Sequence, residues 1–321
     1  MSEARRTNRR CGVAAGLLAA LTLLSASTSS ARTKVMQRWE TLGEAALRAR
    51  RVDQAIGYFA SVVALQPGRA DAEQRLALAL DASVVQVPAG WFDMGSDDGD
   101  VDEGPRRDVY LDAFEIDKYE VTNGQYARFL RAKGREGPRR PAGRYLHLTF
   151  HHPPDWAGSR YPAGEAMYPA AGVGWEEAAE YCAWVGKRLP TEAEWEKAAR
   201  GADGRNYPWG PVWDPGKANI GDRNLHYTIP VGSYPRGASP YGALDMAGNV
   251  WEWVSDLYDR QYYTYAPVRN PLGPPSGTGE RMVRGGAWDS SPDQARTWYR
   301  NATHYFGPNF RVGFRCARSL G

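Results

Sequence analysis

From Gly201 to the C-terminus the chain runs for nearly 120 residues in which glycine, proline, asparagine and aromatics interrupt every helical or strand period. A segment that long and that irregular needs something besides a core to hold it, and a disulfide and bound cations would both serve. The 321 residues allow one large or two modest domains. Apolar residues make up 42% and charged residues 24%, so a packed core is within reach and wholesale disorder is excluded. The aromatic set is biased, with 12 Trp and 18 Tyr against 8 Phe. Such amphipathic rings suit loop-rich domains and binding surfaces.

The net charge of +3 sits at one end. Arg5, Arg6, Arg9 and Arg10 against Glu3 account for all of it within residues 1–31, so the rest of the chain is neutral. Neither nucleic acid nor an anionic membrane is expected as a partner. The basic cluster is followed by an apolar run from Cys11 to Leu24 and by small residues ending Ser29-Ser30-Ala31, the order of a secretory signal peptide. That run is shorter than the roughly 20 residues of a bilayer span. Residues 1–31 are therefore expected to leave as a signal peptide, with no membrane attachment afterwards, and the mature chain is expected in the periplasm or outside the cell. Once Cys11 is removed, Cys182 and Cys316 remain. An even count in an oxidising compartment suggests one disulfide, two buried free thiols being the alternative.

Residues 32–83 read as a helical hairpin. Trp39, Leu42, Gly43, Ala55, Phe59 and Pro67 fall at the tetratricopeptide spacing, in which small and large side chains interlock two antiparallel helices. Arg69 to Ala82 offers a third helix, and a plain helical spacer is the other reading. One repeat cannot bury its own face, so a protein partner through this hairpin is one expectation. Residues 84–321 form the main domain. Short strands are expected around Val85–Val87, Trp91–Gly95 and between Asp108 and Tyr119. Thr122-Asn123-Gly124-Gln125 and Thr191-Glu192-Ala193-Glu194 are capping boxes that open helices. Between them Trp175, Ala178, Ala179 and Cys182 share a helical face stopped by Gly186.

A set of motifs in this domain resembles the formylglycine-generating enzyme family, also called sulfatase-modifying factors. They are Met94-Gly95-Ser96, Tyr119-Glu120-Val121-Thr122-Asn123, Tyr181-Cys182-Ala183-Trp184, and the run from Gly186 to Glu196. Gly248-Asn249-Val250-Trp251-Glu252-Trp253, Arg284-Gly285-Gly286-Ala287-Trp288 and Gly313-Phe314-Arg315-Cys316 complete it. The resemblance implies an α+β fold of C-type-lectin type with little regular secondary structure, and it implies that Cys182 and Cys316 form a structural disulfide. Active members oxidise a cysteine of a secreted sulfatase with copper(I) and dioxygen, using a cysteine pair whose soft thiolates suit that metal. The corresponding positions here are Ser290 and Ala295, and the motif serine is Ala287. A hydroxyl and a methyl do not hold copper(I), so neither copper nor the oxidase activity is expected.

Calcium asks only for hard oxygen donors. Asp245, Gly248, Val250 and Glu252 match one family calcium site; Asn219 and Ile220, with Asp222 as the nearest acid, match part of a second. The loop from Asp97 to Glu103 resembles an EF-hand fragment, but Glu103 replaces the required glycine and Val109 the twelfth-position acid, so a solvated loop is expected. His147, His151 and His152 have zinc-like spacing in a Pro- and Gly-rich setting, which argues against a metal. Some relatives draw iron-binding histidines from an added helical bundle, whereas residues 32–83 contain none. No phosphate loop or nucleophile elbow is present.

Two functions remain. One is a divergent enzyme acting on a secreted peptide or peptide-derived substrate, as some exported relatives do in siderophore maturation, with Glu252, Asp289 and Asp293 as acid/base candidates. The other is a peptide-, protein- or ligand-binding module on the lectin-type scaffold. Trp251, Trp288, Asp289, Ser290, Ser291, Arg296 and Tyr299 would then line its site, an aromatic floor with a few directed polar groups.

Overall fold

The structure, a computed structural model, describes residues 29–138, 156–221, 227–277, 279–303 and 309–320. His147, His151, His152, Asp222 and residues 1–28, where a leader is expected, lie outside these. The chain divides between Ser83 and Val84 into two compact units. The first holds helices α1 (Ser29–Arg48), α2 (Val52–Leu65) and α3 (Ala70–Asp81). Ser29–Ala31, read as the end of the leader, are thus helical in this structure. The small-against-large contact expected in the hairpin is present: a Cβ on Gly43 would lie 2.6 Å from Phe59 Cε1. Leu42, another packing position of the pattern, is instead exposed.

The second unit is α+β. Strands β1 (Val84–Val87), β4 (Phe114–Asp117) and β9 (Ala317–Ser319) form one antiparallel sheet in the order β1-β4-β9, so the two ends of the domain meet. Strands β2 (Gly90–Met94) and β3 (Arg107–Leu111) pair as a separate antiparallel ribbon. The third sheet has the order β7-β6-β5-β8, built from β5 (Trp251–Leu257), β6 (Arg281–Arg284), β7 (Asn301–Thr303) and β8 (Val312–Phe314), with β5 and β8 parallel. Around them lie α4 (Asn123–Lys133), α5 (Trp175–Trp184), α6 (Glu192–Arg200) and the single turn α7 (Tyr262–Tyr265).

The local signals act as their chemistry requires. At α4 the Gln125 N–H donates to Thr122 Oγ1 and the Thr122 N–H donates to Gln125 Oε1. At α6 Thr191 and Glu194 exchange the same two bonds, at 3.1 and 2.8 Å. Each box satisfies two of the orphan donors of a helix start. Helix α5 lacks a side-chain cap of that type; Glu177 reaches back to accept from the Gly174 N–H. Two apolar clusters fill the domain. One packs Phe92, Phe114 and Ile116 of the strands on Trp195 of α6; the other packs Tyr126, Phe129 and Tyr181 of α4 and α5 on Trp251, Trp253 and Phe314.

The irregular C-terminal stretch is held largely by charge. Glu192 and Glu196 of α6 are buried, as are Arg284 of β6 and Arg300. Arg284 bridges both acids at 3.0 and 2.7 Å, Arg300 grips Glu192 at 2.7 Å, and Arg200 binds Glu196 at 3.0 Å while donating to the carbonyls of Asp93 and Gly95. Cys182 and Cys316 are disulfide-bonded, with Cα atoms 5.6 Å apart and 134 residues between them in sequence. In the acidic loop Asp97, Asp98 and Asp100 are exposed as expected, but Glu103 turns inward, is buried, and accepts from the Asp100 N–H.

Candidate functional site

Strand β6 ends at Arg284, and the chain then bends through Gly285 and Gly286 at positive φ, 95° and 79°. A side chain at Gly285 would press on Trp195 at 3.0 Å, so this bend is fixed by glycine chemistry. The turn that follows closes on itself. Ser290 Oγ accepts from the Ala287 N–H at 2.9 Å, the Ser290 N–H donates to the Ala287 carbonyl, and the Ser290 carbonyl accepts from Gly221. Ala295 is fully buried with Tyr207, Ala218, Ile220 and Ala247, and Trp209 and Trp213 pack against this group. Tyr207, Trp209 and Trp213 touch one another with ring centroids 5.3–5.6 Å apart. Ser290 therefore serves the backbone of the turn, and Ala295 is the seat of an aromatic stack.

The ligand-site candidates divide in two. Trp251, Trp288 and Tyr299 belong to one apolar cluster, with Trp251 and Tyr299 rings 6.0 Å apart. Trp288 leads directly to Asp289, which pairs with Arg311 at 2.7 Å; the Arg311 guanidinium stands 6.0 Å from the Trp288 ring. Ser291 is exposed, and Arg296 turns away to Asp293 at 3.1 Å and to the Trp298 ring. Ser290, Trp251 and Trp288 are all buried, and the Ser290 hydroxyl faces the Ala287 N–H. Arg311 was not among the sequence candidates. The signal for it was weak, an arginine four residues before Arg315 in an otherwise recognised motif.

The residue after Trp251, Glu252, belongs to a buried carboxylate cluster. Glu252 is wholly buried; Arg315 clasps both its oxygens at 2.6 and 2.7 Å, and the Trp195 indole donates to Oε2 at 2.8 Å. Arg315 also donates to the carbonyls of Asp117, Lys118 and Leu244. Glu120, also buried, accepts from Asn249 Nδ2 at 2.6 Å and from the Val250 N–H at 3.1 Å. Asp245 accepts from the Gly232 N–H at 2.6 Å. Burial, reinforced by Asp245 and Glu252, drives Glu120 well above the usual carboxylate range against the pull of Arg315. Burial likewise pushes Asp245 up to about 6. Glu120 stood in a recognised motif without an assigned role, and its place in this cluster is legible only from the fold.

The backbone here is shaped for close approach. Asp245, Gly248 and Asn249 all have positive φ, and a Cβ on Gly248 would fall 2.3 Å from the Asn219 carbonyl oxygen. Asn219 is buried; its Nδ2 donates to the Tyr227 carbonyl and to Asn249 Oδ1, while its Oδ1 has no hydrogen-bond partner among the described residues. A buried acceptor without a donor is costly unless something electropositive meets it. That orphaned oxygen fits a hard cation held by Asn219 and the Ile220 carbonyl. Three neighbouring carboxylates around one guanidinium leave net negative charge, which fits a cation held by Asp245, Glu252 and the Gly248 and Val250 carbonyls. Among the described residues no three His, Cys, Asp or Glu side chains form a metal centre unaided, so both sets would draw on backbone and amide oxygens. The thiolates that copper(I) prefers are absent from the turn at Ser290 and Ala295, and that metal does not fit there.

The sulfatase-modifying factor enzyme 1-like domain matches residues 70–320, reaching back into α3. The serine/threonine-protein kinase Pkn1 of Chlamydia trachomatis is 39% identical over 241 residues, which are 74% of this chain and 38% of that protein. The chain thus spans little more than a third of the kinase relatives it matches. The inactive C-alpha-formylglycine-generating enzyme 2 of Mus musculus is 33% identical, covering 77% of this chain and 89% of the relative. The solved structure of PvdO from Pseudomonas aeruginosa superposes with a TM-score of 0.62 at 31% identity, covering 75% of this chain and 95% of that one. With its capped helices, its bridged cysteines and its Arg315–Glu252 clasp set in the matched region, the chain belongs to the sulfatase-modifying factor family.

Proposed function

We propose that this chain is an exported binding protein of the family, which recognises a secreted peptide, protein or peptide-derived ligand and does not generate formylglycine. The observation that carries the reading is the closed turn: the Ser290 hydroxyl is tied to the Ala287 N–H and Ala295 is buried under aromatic rings. Among the described residues no cysteine stands in this turn, and the neighbouring Trp251 and Trp288 are buried. Calcium is a structural partner in this reading, held through Asn219 and Ile220 and through Asp245, Gly248, Val250 and Glu252, where it would neutralise buried negative charge. The N-terminal leader and the disulfide support a periplasmic or extracellular location, and no described helix is long and apolar enough to cross a membrane. The helical unit offers a further surface for a protein partner. Similarity to an inactive relative and to kinases that carry this domain as a part supports binding over turnover.

The test is incubation of the mature protein with cysteine-containing sulfatase peptides, copper and oxygen, with products weighed by mass spectrometry. Peptide retention at unchanged mass is expected; loss of thiol with gain of an aldehyde would overturn the reading. A second reading, a divergent enzyme on a peptide-derived substrate, draws support from the 35% identity to the formylglycine-generating enzyme of Streptomyces coelicolor. Glu252 is locked by Arg315, which leaves Asp289 and Asp293 as its exposed acids.

A further inference from the structure

We infer that the outer side of the β2–β3 ribbon docks an extended segment of a partner protein, bearing a single acidic side chain between apolar ones. This surface shares no residue with the turn at Ala287–Ser290, and it stands or falls separately from the reading above. The ribbon alternates as a half-buried sheet does: Phe92, Met94, Val109 and Leu111 are buried, Trp91 and Asp108 are exposed, and Tyr110 is half-buried. A strap at 267–271 widens it. The Tyr110 N–H donates to the Val268 carbonyl at 2.8 Å and the Asn270 N–H to the Tyr110 carbonyl at 2.9 Å. Arg269 thereby lies opposite Tyr110 in a parallel bridge.

That bridge turns the Arg269 N–H and carbonyl away from β3, and neither meets a hydrogen-bond partner among the described residues. An open edge of this kind accepts an added strand. Pro267 and Pro271, two residues to either side, have no N–H, so of these three only Arg269 both donates and accepts. The side chains complete the site. The Arg269 guanidinium stands 4.1 Å from the Tyr110 ring centroid and 5.8 Å from that of Trp91, with no ion pair among the described residues. A guanidinium held on aromatic faces keeps its N–H fork for an incoming carboxylate. Trp91, 51% exposed and edge-on to Tyr110 at 5.4 Å, and Leu272, 76% exposed, supply apolar area. Of the nearby acids, Asp93 is paired with Arg106 and Asp112 with Asn270; Asp108 is exposed and disfavours a run of negative charge. The complement is therefore one acid opposite Arg269, on the face that the two side chains of a cross-strand pair share, with apolar residues around it.

A phage-displayed library of random nonapeptides, panned on the purified protein, tests this. Enriched sequences are expected to carry one Asp or Glu flanked by β-branched or aromatic residues. Synthesised with capped ends, they should lose roughly tenfold in affinity when that acid becomes its amide. Arg269→Gln should abolish the difference, and Trp91→Ala should weaken both forms alike; both changes fall on exposed side chains, and an unchanged melt verifies the fold. The Arg269 amide, unbonded in the free protein, should exchange with solvent about tenfold more slowly once peptide is bound. No enrichment, enrichment without an acid, or an acid preference that survives Arg269→Gln overturns the inference. So does an Arg269 amide that stays fast, and so does a dimer in sedimentation that Arg269→Gln dissolves, which would assign the edge to a second copy of this chain.

Discussion

Replacing Arg315 by methionine should be among the most damaging single changes in the domain. The guanidinium is fully buried, clasps Glu252 through two oxygens, and donates to three backbone carbonyls. Methionine fills much of the volume but leaves Glu252 enclosed without its counter-ion, with Glu120 and Asp245 beside it. Breaking one side of a buried ion pair costs about 3–5 kcal/mol, and the orphaned carbonyls place this case at the upper end. For a unit of this size about 1 kcal/mol moves Tm by 2–4 °C, so a fall of roughly 10–20 °C is expected. The assay is thermal and urea unfolding at pH 7 in EDTA, so that no bound cation substitutes for the missing charge. Glu252→Met in the same background should recover at least about 2 kcal/mol, because it removes the uncompensated charge. A single mutant within about 1 kcal/mol of the parent, or strict additivity of the pair, would refute the claim that this clasp organises the centre of the domain.

Asp256 gives a pH signature elsewhere: burial and the charges of Glu192 and Glu194 push it up to about 7. Its folded pKa thus exceeds the unfolded one, so its contribution is complete below about pH 4 and is lost as pH rises toward 7. Asp256→Asn keeps an acceptor for the Glu192 N–H and should raise Tm at pH 8 while changing it little at pH 4, read by differential scanning calorimetry; an unchanged profile would remove Asp256 as the cause. Chelation should lower Tm, with calcium at about a hundredfold over its Kd restoring roughly 2.7 kcal/mol, and Asn219→Ala should blunt that response; a melt insensitive to both contradicts the calcium assignment. Cys182→Ser with Cys316→Ser opens a loop spanning 134 residues, for which chain entropy gives a loss of about 5 kcal/mol as an upper bound. A denaturant midpoint within error of the parent would refute that account.

What could be read from the sequence, and what could not, follows from the range of each interaction. Capping at Thr122 and Thr191 is a matter of three residues, so a local pattern carries it. The Cys182–Cys316 bridge was within reach because only two cysteines lie outside the expected leader. Arg284, Arg300, Glu192 and Glu196 stand up to 108 residues apart, and nothing in the local context of a buried arginine distinguishes it from a solvated one. The same limit hid Glu120 and Arg311. Sequence reasoning also spread the site across Ser290 and Arg296, since it saw a contiguous segment and not the direction of each side chain. The closed turn points the Ser290 hydroxyl inward, and the ion pair with Asp293 draws Arg296 toward Trp298.

The distribution of stabilising contacts explains how such a scaffold keeps its fold while its surface chemistry varies. The disulfide, the Arg315 clasp and the Glu192–Arg284–Arg300–Glu196 network join α5, α6, β5, β6 and the C-terminus without using any side chain from Ala287 to Ala295. That turn carries its own closure, made of the Ser290 hydroxyl and the buried methyl of Ala295. A residue that reduces the number of unsatisfied groups in its own loop needs no metal to keep the loop in place. The same independence means that substitutions at Asp289 and Arg311, both exposed, should change stability by less than about 1 kcal/mol. A large loss of Tm in Arg311→Gln would show instead that this exposed pair and the framework are one structure, and that the turn is not independent of it.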